Sequence, residues 1–186
     1  RLERSVSKGE LGVSAKLGLT SKLVLDLTWN PDFSQVESDA GQVDANLRSD
    51  LYFTEKRPFF LEGSDIFQLA GMSFFMSAVH TRRIVDPLLG FKLSGKLGDR
   101  NTMAAIFSLD ESADNPLHEG SRAANAAFAI FRYKRALSGD GFLGAFYTGR
   151  EQGSDFNRLV GLDGQLRLSR SEMLSFHGFA SFTDTP

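Results

Sequence analysis

The stretch ELGVSAKLGLTSKLVLDLTW, residues 10–29, decides the fold class. Apolar residues alternate with small or polar ones over residues 11–19, and the alternation repeats over residues 23–29 after a polar turn. Because successive side chains of a strand point to opposite faces, this pattern predicts two half-buried strands joined by a tight turn. A slip of one residue would place Lys16 and Asp26 on the apolar face, so the register is well specified.

The same alternation returns from Leu88 onward and gives a total of eight predicted strands. Polar segments at residues 98–101, 110–120, 138–141, 149–158 and 169–172 predict the connections between them. Short and long connections alternate, which is typical of outer-membrane barrels with short periplasmic turns and long external loops. A sandwich with Greek-key connections has no reason to alternate in this way. The sequence therefore predicts an all-β fold, an antiparallel up-and-down transmembrane β-barrel segment of a larger barrel.

The two faces of the predicted strands differ in charge. We expect an apolar face in contact with lipid, represented by Leu25, Leu93, Leu166 and Phe176. The opposite face is expected to line the lumen and carries Lys92, Lys96, Asp163 and Arg167. Lipid outside and water inside produce this distribution in a membrane barrel. A soluble, lipocalin-like barrel is the alternative, and it would place the apolar face inside.

One long irregular region, residues 30–86, interrupts the strands and contains the stretch TEKRPFFLEGSD at residues 54–65. So long an insertion in a strand protein is usually functional or packed as a plug or cap. Three bulky apolar residues in succession are not expected of a disordered loop. The predicted core and binding surface of this insertion consists of Glu55, Arg57, Phe59, Phe60, Glu62 and Asp65.

Composition limits the function classes further. The 186 residues carry a net charge of −2 and no basic run, so no nucleic-acid partner is expected. Cysteine is absent, and no apolar run is long enough for a membrane-spanning helix. We expect neither a metal nor a cofactor. The acids Asp32, Glu37, Asp39 and Asp44 lack EF-hand spacing, and His80, His118 and His177 lack zinc or triad spacing.

Two segments resemble a bacterial outer-membrane family, the domain of unknown function 5916. They are NPDFSQVE, residues 30–37, and EKRPFFLEG, residues 55–63, with the preceding strand pair and Arg82-Arg83-Ile84 also similar. The resemblance is dense over residues 10–97 and looser afterwards. It implies a larger parent protein with more strands and an N-terminal domain similar to carbohydrate-binding family 9, which residues 1–186 do not contain. The chain also begins without methionine, and we expect it to be part of a longer precursor.

Three functions remain open at this stage, all placed in the bacterial outer membrane with lipid as a partner. The first is a non-enzymatic barrel that binds or passes carbohydrate-derived or other polar solutes, with the insertion as constriction or cap. The second is a surface polysaccharide hydrolase that uses Glu55 and Glu62 as paired carboxylates. The third is a structural barrel that serves other envelope proteins as a partner. We favour a non-enzymatic function over the hydrolase, because the carboxylates of Glu55 and Glu62 also suit ion pairs within the insertion.

Overall fold

The computed structural model describes residues 11–31, 55, 57–71, 81, 84, 87–111 and 125–184. Within these ranges the chain forms eight strands in one antiparallel sheet, and their order in the sheet follows the sequence. The strands are β1 Val13–Thr20, β2 Leu23–Trp29, β3 Pro87–Leu97, β4 Asn101–Asp110, β5 Ala126–Ala136, β6 Phe142–Gln152, β7 Asp155–Arg167 and β8 Met173–Asp184. The predicted all-β, up-and-down arrangement is confirmed.

The sheet is not closed into a barrel within the described ranges. There β1 pairs with β2, β8 pairs with β7, and the two edge strands do not pair with each other. Nor is any helix in this part of the chain both long and apolar enough to cross a membrane.

Four short connections lie where the sequence predicts them, around Ser21, Asp99, Gly139 and Arg170. The predicted polar loop over residues 149–158 is wrong. Both neighbouring strands continue into it, and only residues 153–154 turn the chain, with Gly153 at a φ of 63°. The polar side chains belong to paired strand ends, where Arg158 lies 2.6 Å from Glu151. Polar composition alone therefore did not distinguish a loop from strand ends at the edge of an apolar zone.

Register separates the side chains into two faces. Lys16, Asp26 and Lys92 occupy one row across β1, β2 and β3, because Asp26 pairs with both of the others. We call the face that carries this row the inner face, and the opposite one the outer face. The inner face also carries Arg132 and Asp163 further along the sheet, and it is the face that contacts the insertion.

The outer face is apolar although it is exposed. Its large exposed side chains come from every strand except β4 and include Leu17, Leu27, Trp29, Phe91, Phe131, Leu143, Val160, Leu162, Leu174, Phe176 and Phe182. Charged residues on this face, such as Arg135, Glu151 and Arg158, lie near the ends of their strands. An exposed apolar surface of this extent marks a contact with lipid or protein.

The described part of the insertion packs on the inner face. It contains one short helix, α1 Pro58–Leu61, which begins with proline at its first turn, and a 3₁₀ helix Ser64–Phe67. Phe60 and Ile84 form a buried cluster with strand residues of β4 and β5, namely Ile106, Ala126, Phe128 and Ile130. This contact explains why β5 is apolar on both faces: one side meets the insertion, and the other belongs to the apolar outer face.

The insertion reaches both edges of the sheet. Glu62 forms an ion pair with Lys16 on β1, and the carbonyl oxygen of Ala70 lies 3.2 Å from Nδ1 of His177 on β8. The described part of the insertion therefore lies across the inner face from one edge strand to the other.

Candidate functional site

Two buried cationic side chains on the inner face bind the described part of the insertion, and the first is Lys92. It is fully buried, and its ammonium group lies 3.3 Å from Asp26 Oδ2 on the neighbouring strand. Its Nζ also donates to the main-chain carbonyl oxygens of Phe59, at 2.5 Å, and Glu62, at 3.2 Å. These carbonyls end helix α1, where a cation is favourable because the carbonyl dipoles point toward it. Lys92 thus fixes the helix to β3.

The second cation, Arg132 on β5, is buried in a two-pronged ion pair with Asp163 on β7. The nitrogen–oxygen distances are 2.5 Å and 2.7 Å, and both side chains are almost fully shielded from solvent. The guanidinium also donates to the carbonyl oxygens of Ile66 and Gln68, at 3.3 Å and 3.2 Å. Asp163 Oδ2 in turn accepts a hydrogen bond of 2.7 Å from the amide of Ala70. Such saturation of hydrogen bonds is what makes a buried ion pair tolerable.

A glycine makes room for this pair. Gly144 on β6 lies between β5 and β7 in the sheet, paired with Lys134 and Asp163. A Cβ atom at Gly144 would lie 2.7 Å from Nη1 of Arg132 and closer still to Oδ1 of Asp163. Neither side chain can move away without breaking the buried contacts described above.

We therefore expect Gly144→Ala to destabilise the protein by about 1–3 kcal/mol, since overpacking displaces the buried pair. Equilibrium urea unfolding measures the change. Gly178→Ala is the matched control, because a Cβ at Gly178 on β8 would meet no atom within 4 Å. A loss at Gly178 equal to that at Gly144 would contradict the steric role.

Within the insertion, Arg57 and Glu55 form the internal scaffold. Nε and Nη2 of Arg57 each lie 2.8 Å from an oxygen of Glu55, and the Thr81 hydroxyl donates to the same carboxylate at 2.6 Å. Arg57 is buried and also donates to the carbonyl oxygens of Thr81 and Ile84, at 2.9 Å and 2.5 Å. Its guanidinium lies 4.3 Å from the centre of the Phe60 ring. These contacts join the start of α1 to residues 81 and 84.

Burial alone would raise the pKa of Glu55, but hydrogen bonds from Arg57 and Thr81 outweigh it and lower the pKa from 4.5 to about 2. A lowered pKa means that the ionised carboxylate stabilises the folded insertion. This contribution is complete above about pH 4.5 and is lost as the pH falls toward 2.

Acidification from pH 7 to pH 3 is accordingly expected to weaken the packing of the insertion by about 1 kcal/mol, with partial exposure of Glu55 taken into account. Hydrogen exchange of residues 57–61, corrected for the intrinsic effect of pH, measures this loss of protection. Glu55→Gln should exchange quickly at both pH values. A wild-type segment that stays equally protected at pH 3 would refute the role of this carboxylate.

The remaining predicted site residues divide into two groups. Phe59 is half-buried, with its ring against Gly90 and edge-on to Phe60, and Glu62 pairs with Lys16. Asp65 is exposed, and its carbonyl oxygen accepts a long hydrogen bond of 3.5 Å from Lys134. Of the four predicted lumen residues, Lys92 and Asp163 contact the insertion. Lys96 and Arg167 are exposed near the short turns, where Arg167 donates to the Gly139 carbonyl oxygen.

The geometry gives no support to Glu55 and Glu62 as the carboxylates of a hydrolase. A glycosidase needs one carboxyl with a raised pKa to donate a proton. Glu55 has a lowered pKa, and a hydrogen bond from Lys16 likewise lowers the pKa of Glu62. Both side chains therefore remain ionised and engaged by cations. The acids of residues 32–44, together with His80 and His118, lie outside the described residues, and among the described ones no acid and histidine cluster suits a metal.

Sequence reasoning missed three contributors. Arg132 and Lys134 share the inner face of β5, and Ile84 packs against Phe60. The sequence did contain a signal for Arg132 and Lys134, because these charged residues alternate with the aromatic Phe131 and Tyr133. Phe128 and Ile130 obscured this signal, because they lie on the same face and apolar residues are not expected in a water-filled lumen.

Comparison with known protein families adds one match. The model described as domain of unknown function (DUF5916) matches residues 3–94. The chain belongs to this family. The DUF5916 match covers β1, β2, the insertion and most of β3, and so includes Lys16, Asp26 and Lys92. Arg132 and Asp163 of this DUF5916 protein lie outside the matched range. No curated protein and no solved structure matches the chain.

Proposed function

We propose that the chain is part of a bacterial outer-membrane β-barrel that binds or passes polar solutes, with residues 57–71 as an internal constriction. One observation carries the proposal: the exposed outer face is apolar, while the inner face holds buried charges that bind the insertion. A soluble barrel needs the opposite distribution, with apolar side chains inside and charge outside. In lipid the observed distribution is the stable one.

Among polar solutes we favour carbohydrate-derived ones, because the family that the chain resembles is associated with a domain similar to carbohydrate-binding family 9. The inner face itself offers polar groups suited to uncharged hydroxyl-rich molecules as well as to other polar solutes. A purely structural barrel within an envelope complex is the competing function, and it requires no solute passage.

Solute flux through the full-length protein in liposomes tests the proposal. We expect the protein to admit small sugars at a rate above that of protein-free liposomes. Absence of flux for every polar solute, in protein shown to be inserted, would refute the proposal and favour the structural function.

A matched pair of substitutions tests which face of the sheet contacts lipid. Leu162 lies on the outer face near the middle of β7, and Gln165 lies on the inner face of the same strand near Met173. Leu162→Arg should impair assembly by about 2–4 kcal/mol, because it places a charge in lipid near the midplane, whereas Gln165→Arg should be tolerated. Heat-modifiable migration on gels after refolding into vesicles measures assembly. Equal effects of the two substitutions would overturn the assignment of faces.

A further inference from the structure

The four short turns lie at the same end of the sheet, because the strands follow one another in sequence order. Main-chain hydrogen bonds join them to their neighbours. The amide of Lys96 donates to the carbonyl oxygen of Lys22 at 2.8 Å, and the amide of Ala136 donates to that of Arg100 at 2.7 Å. We call this row of turns and strand ends the turn end. Its charged residues are therefore held close to one another.

Positive charge is in excess at the turn end. Two of its acids are bound by cations, since Asp99 lies 3.0 Å from Lys22 and Asp140 lies 3.4 Å from Arg167. Four exposed cations have no ion pair with any residue that the structure describes. They are Lys96, Arg100, Arg135 and Arg170. Glu172 is the one acid of the four turns that is likewise without an ion pair among the described residues, so the unpaired cations outnumber it.

Two of the unpaired cations occupy neighbouring positions. Arg135 on β5 has Asn101 on β4 as its Cα partner, and Asn101 directly follows Arg100. Asp99, the acid adjacent to Arg100 in sequence, is engaged by Lys22. Like charges side by side on neighbouring strands are unfavourable, so an anion that contacts both arginines would stabilise this end of the sheet. Phosphate suits arginine in particular, because the planar guanidinium can donate two parallel hydrogen bonds to it.

The surroundings of Arg135 indicate a phosphate that belongs to a lipid. Arg135 lies on the outer face, where its partner on β6 is Leu143, and the partner of Asn101 on β3 is Leu97. Both leucines are large exposed apolar residues. Tyr133, on the same face of β5, donates from its hydroxyl to Asn101 at 2.7 Å, and such a half-apolar ring is typical of the boundary between hydrocarbon and water. A phospholipid covers the leucines with its acyl chains, whereas a free phosphate leaves them in water.

We propose, building on the membrane barrel proposed above, that Arg100 and Arg135 bind the phosphate of an anionic phospholipid whose acyl chains lie on the outer face. Phosphatidylglycerol has the required net negative charge. Phosphatidylcholine has the same phosphate, but its own ammonium group neutralises it, so the arginine pair distinguishes the two lipids by charge. Arg170, in the turn between β7 and β8, adds to the positive potential without being part of the pair.

Electron paramagnetic resonance of spin-labelled lipids measures the preference, with the full-length protein inserted in phosphatidylcholine vesicles. We expect the wild-type protein to bind labelled phosphatidylglycerol about threefold more strongly than labelled phosphatidylcholine at low salt. Arg100→Gln combined with Arg135→Gln should abolish the preference. A rise in salt from about 0.01 M to about 1 M shortens the Debye length from about 30 Å to about 3 Å and should weaken the preference in the wild type.

Lys96→Gln is the matched control for the single variant Arg135→Gln. Both remove one exposed cation from the turn end, but Lys96 lies on the inner face, away from the acyl chains. We expect Arg135→Gln to lower the preference about twofold and Lys96→Gln to leave it unchanged. Neither side chain forms an ion pair with the described residues, so both variants should assemble, and heat-modifiable migration on gels verifies this.

The outcomes separate the two proposals. An unchanged preference in the double variant overturns the arginine site. Equal losses in Lys96→Gln and Arg135→Gln overturn it too, because they show an effect of net charge and not of position. Displacement of labelled phosphatidylglycerol by soluble glycerol 3-phosphate shows a site for free phosphate and overturns the choice of lipid. Protein-bound lipid without any preference overturns the head-group site alone, whereas the absence of protein-bound lipid refutes the membrane barrel itself.

Discussion

Asp163→Asn is expected to destabilise the protein by about 3–5 kcal/mol, the largest electrostatic effect that we expect among the described residues. The substitution leaves Arg132 buried opposite a neutral amide, and removal of one partner from a buried pair exposes the full desolvation cost of the other. It also weakens the bond to Ala70, since a carboxylate accepts more strongly than an amide oxygen. Equilibrium urea unfolding measures the free energy of unfolding.

The matched control is Asp140→Asn. Asp140 lies 3.4 Å from Arg167, but its side chain is 84% exposed, so the ion pair is screened by water. Its removal should cost less than about 1 kcal/mol. If the two Asp→Asn substitutions had similar effects, burial would not be what gives the Arg132–Asp163 pair its importance.

Phe60→Ala should cost about 3–5 kcal/mol and release the insertion from the inner face. The side chain is only 3% exposed and packs against Ile84, Ile106, Phe128 and Ile130, so its truncation leaves a cavity lined by large groups. Cleavage near residues 57–71 by a soluble protease should accelerate more than tenfold, while the strands stay assembled.

Leu61→Ala tests whether the effect belongs to the cluster and not to helix α1 as such. Leu61 is the next residue on the same helix but is 43% exposed, so its truncation should change cleavage less than twofold. A wild-type insertion cut as fast as a free loop would mean that Phe60 does not hold it.

Most of the fold followed from alternation, because a half-buried strand repeats every two residues and the eight strands do so clearly. Residues 149–158 are the exception: their polar composition predicts a loop, yet Glu151 and Arg158 form an ion pair across two neighbouring strands. Alternation reports which face a residue occupies. It does not report whether a polar residue is paired in a sheet or free in a turn.

The site was less accessible to prediction. The sequence allowed us to predict Glu55, Arg57 and Phe60 as site residues because they lie within six residues of one another. In the structure, Arg57 contacts both of the others. The Arg132–Asp163 pair could not, because its partners are 31 residues apart and their proximity depends on the register of three strands. Nor does any sequence pattern reveal a cation that binds main-chain carbonyl groups, because every residue has such a group.

The position of the insertion in the chain has a consequence for the order of assembly. Residues 57–71 emerge from the ribosome before every strand from β3 to β8, yet they are held by contacts with β3, β4, β5, β7 and β8. The amide of Ala70 must wait for Asp163, 93 residues later, and its carbonyl oxygen for His177, 107 residues later. Contacts between such distant residues pay their loop entropy before they contribute stability, and they form slowly. Phe60 is covered once β4 and β5 are in place, whereas Ala70 is secured only after β7 and β8 have formed, so docking of the segment is completed late in folding.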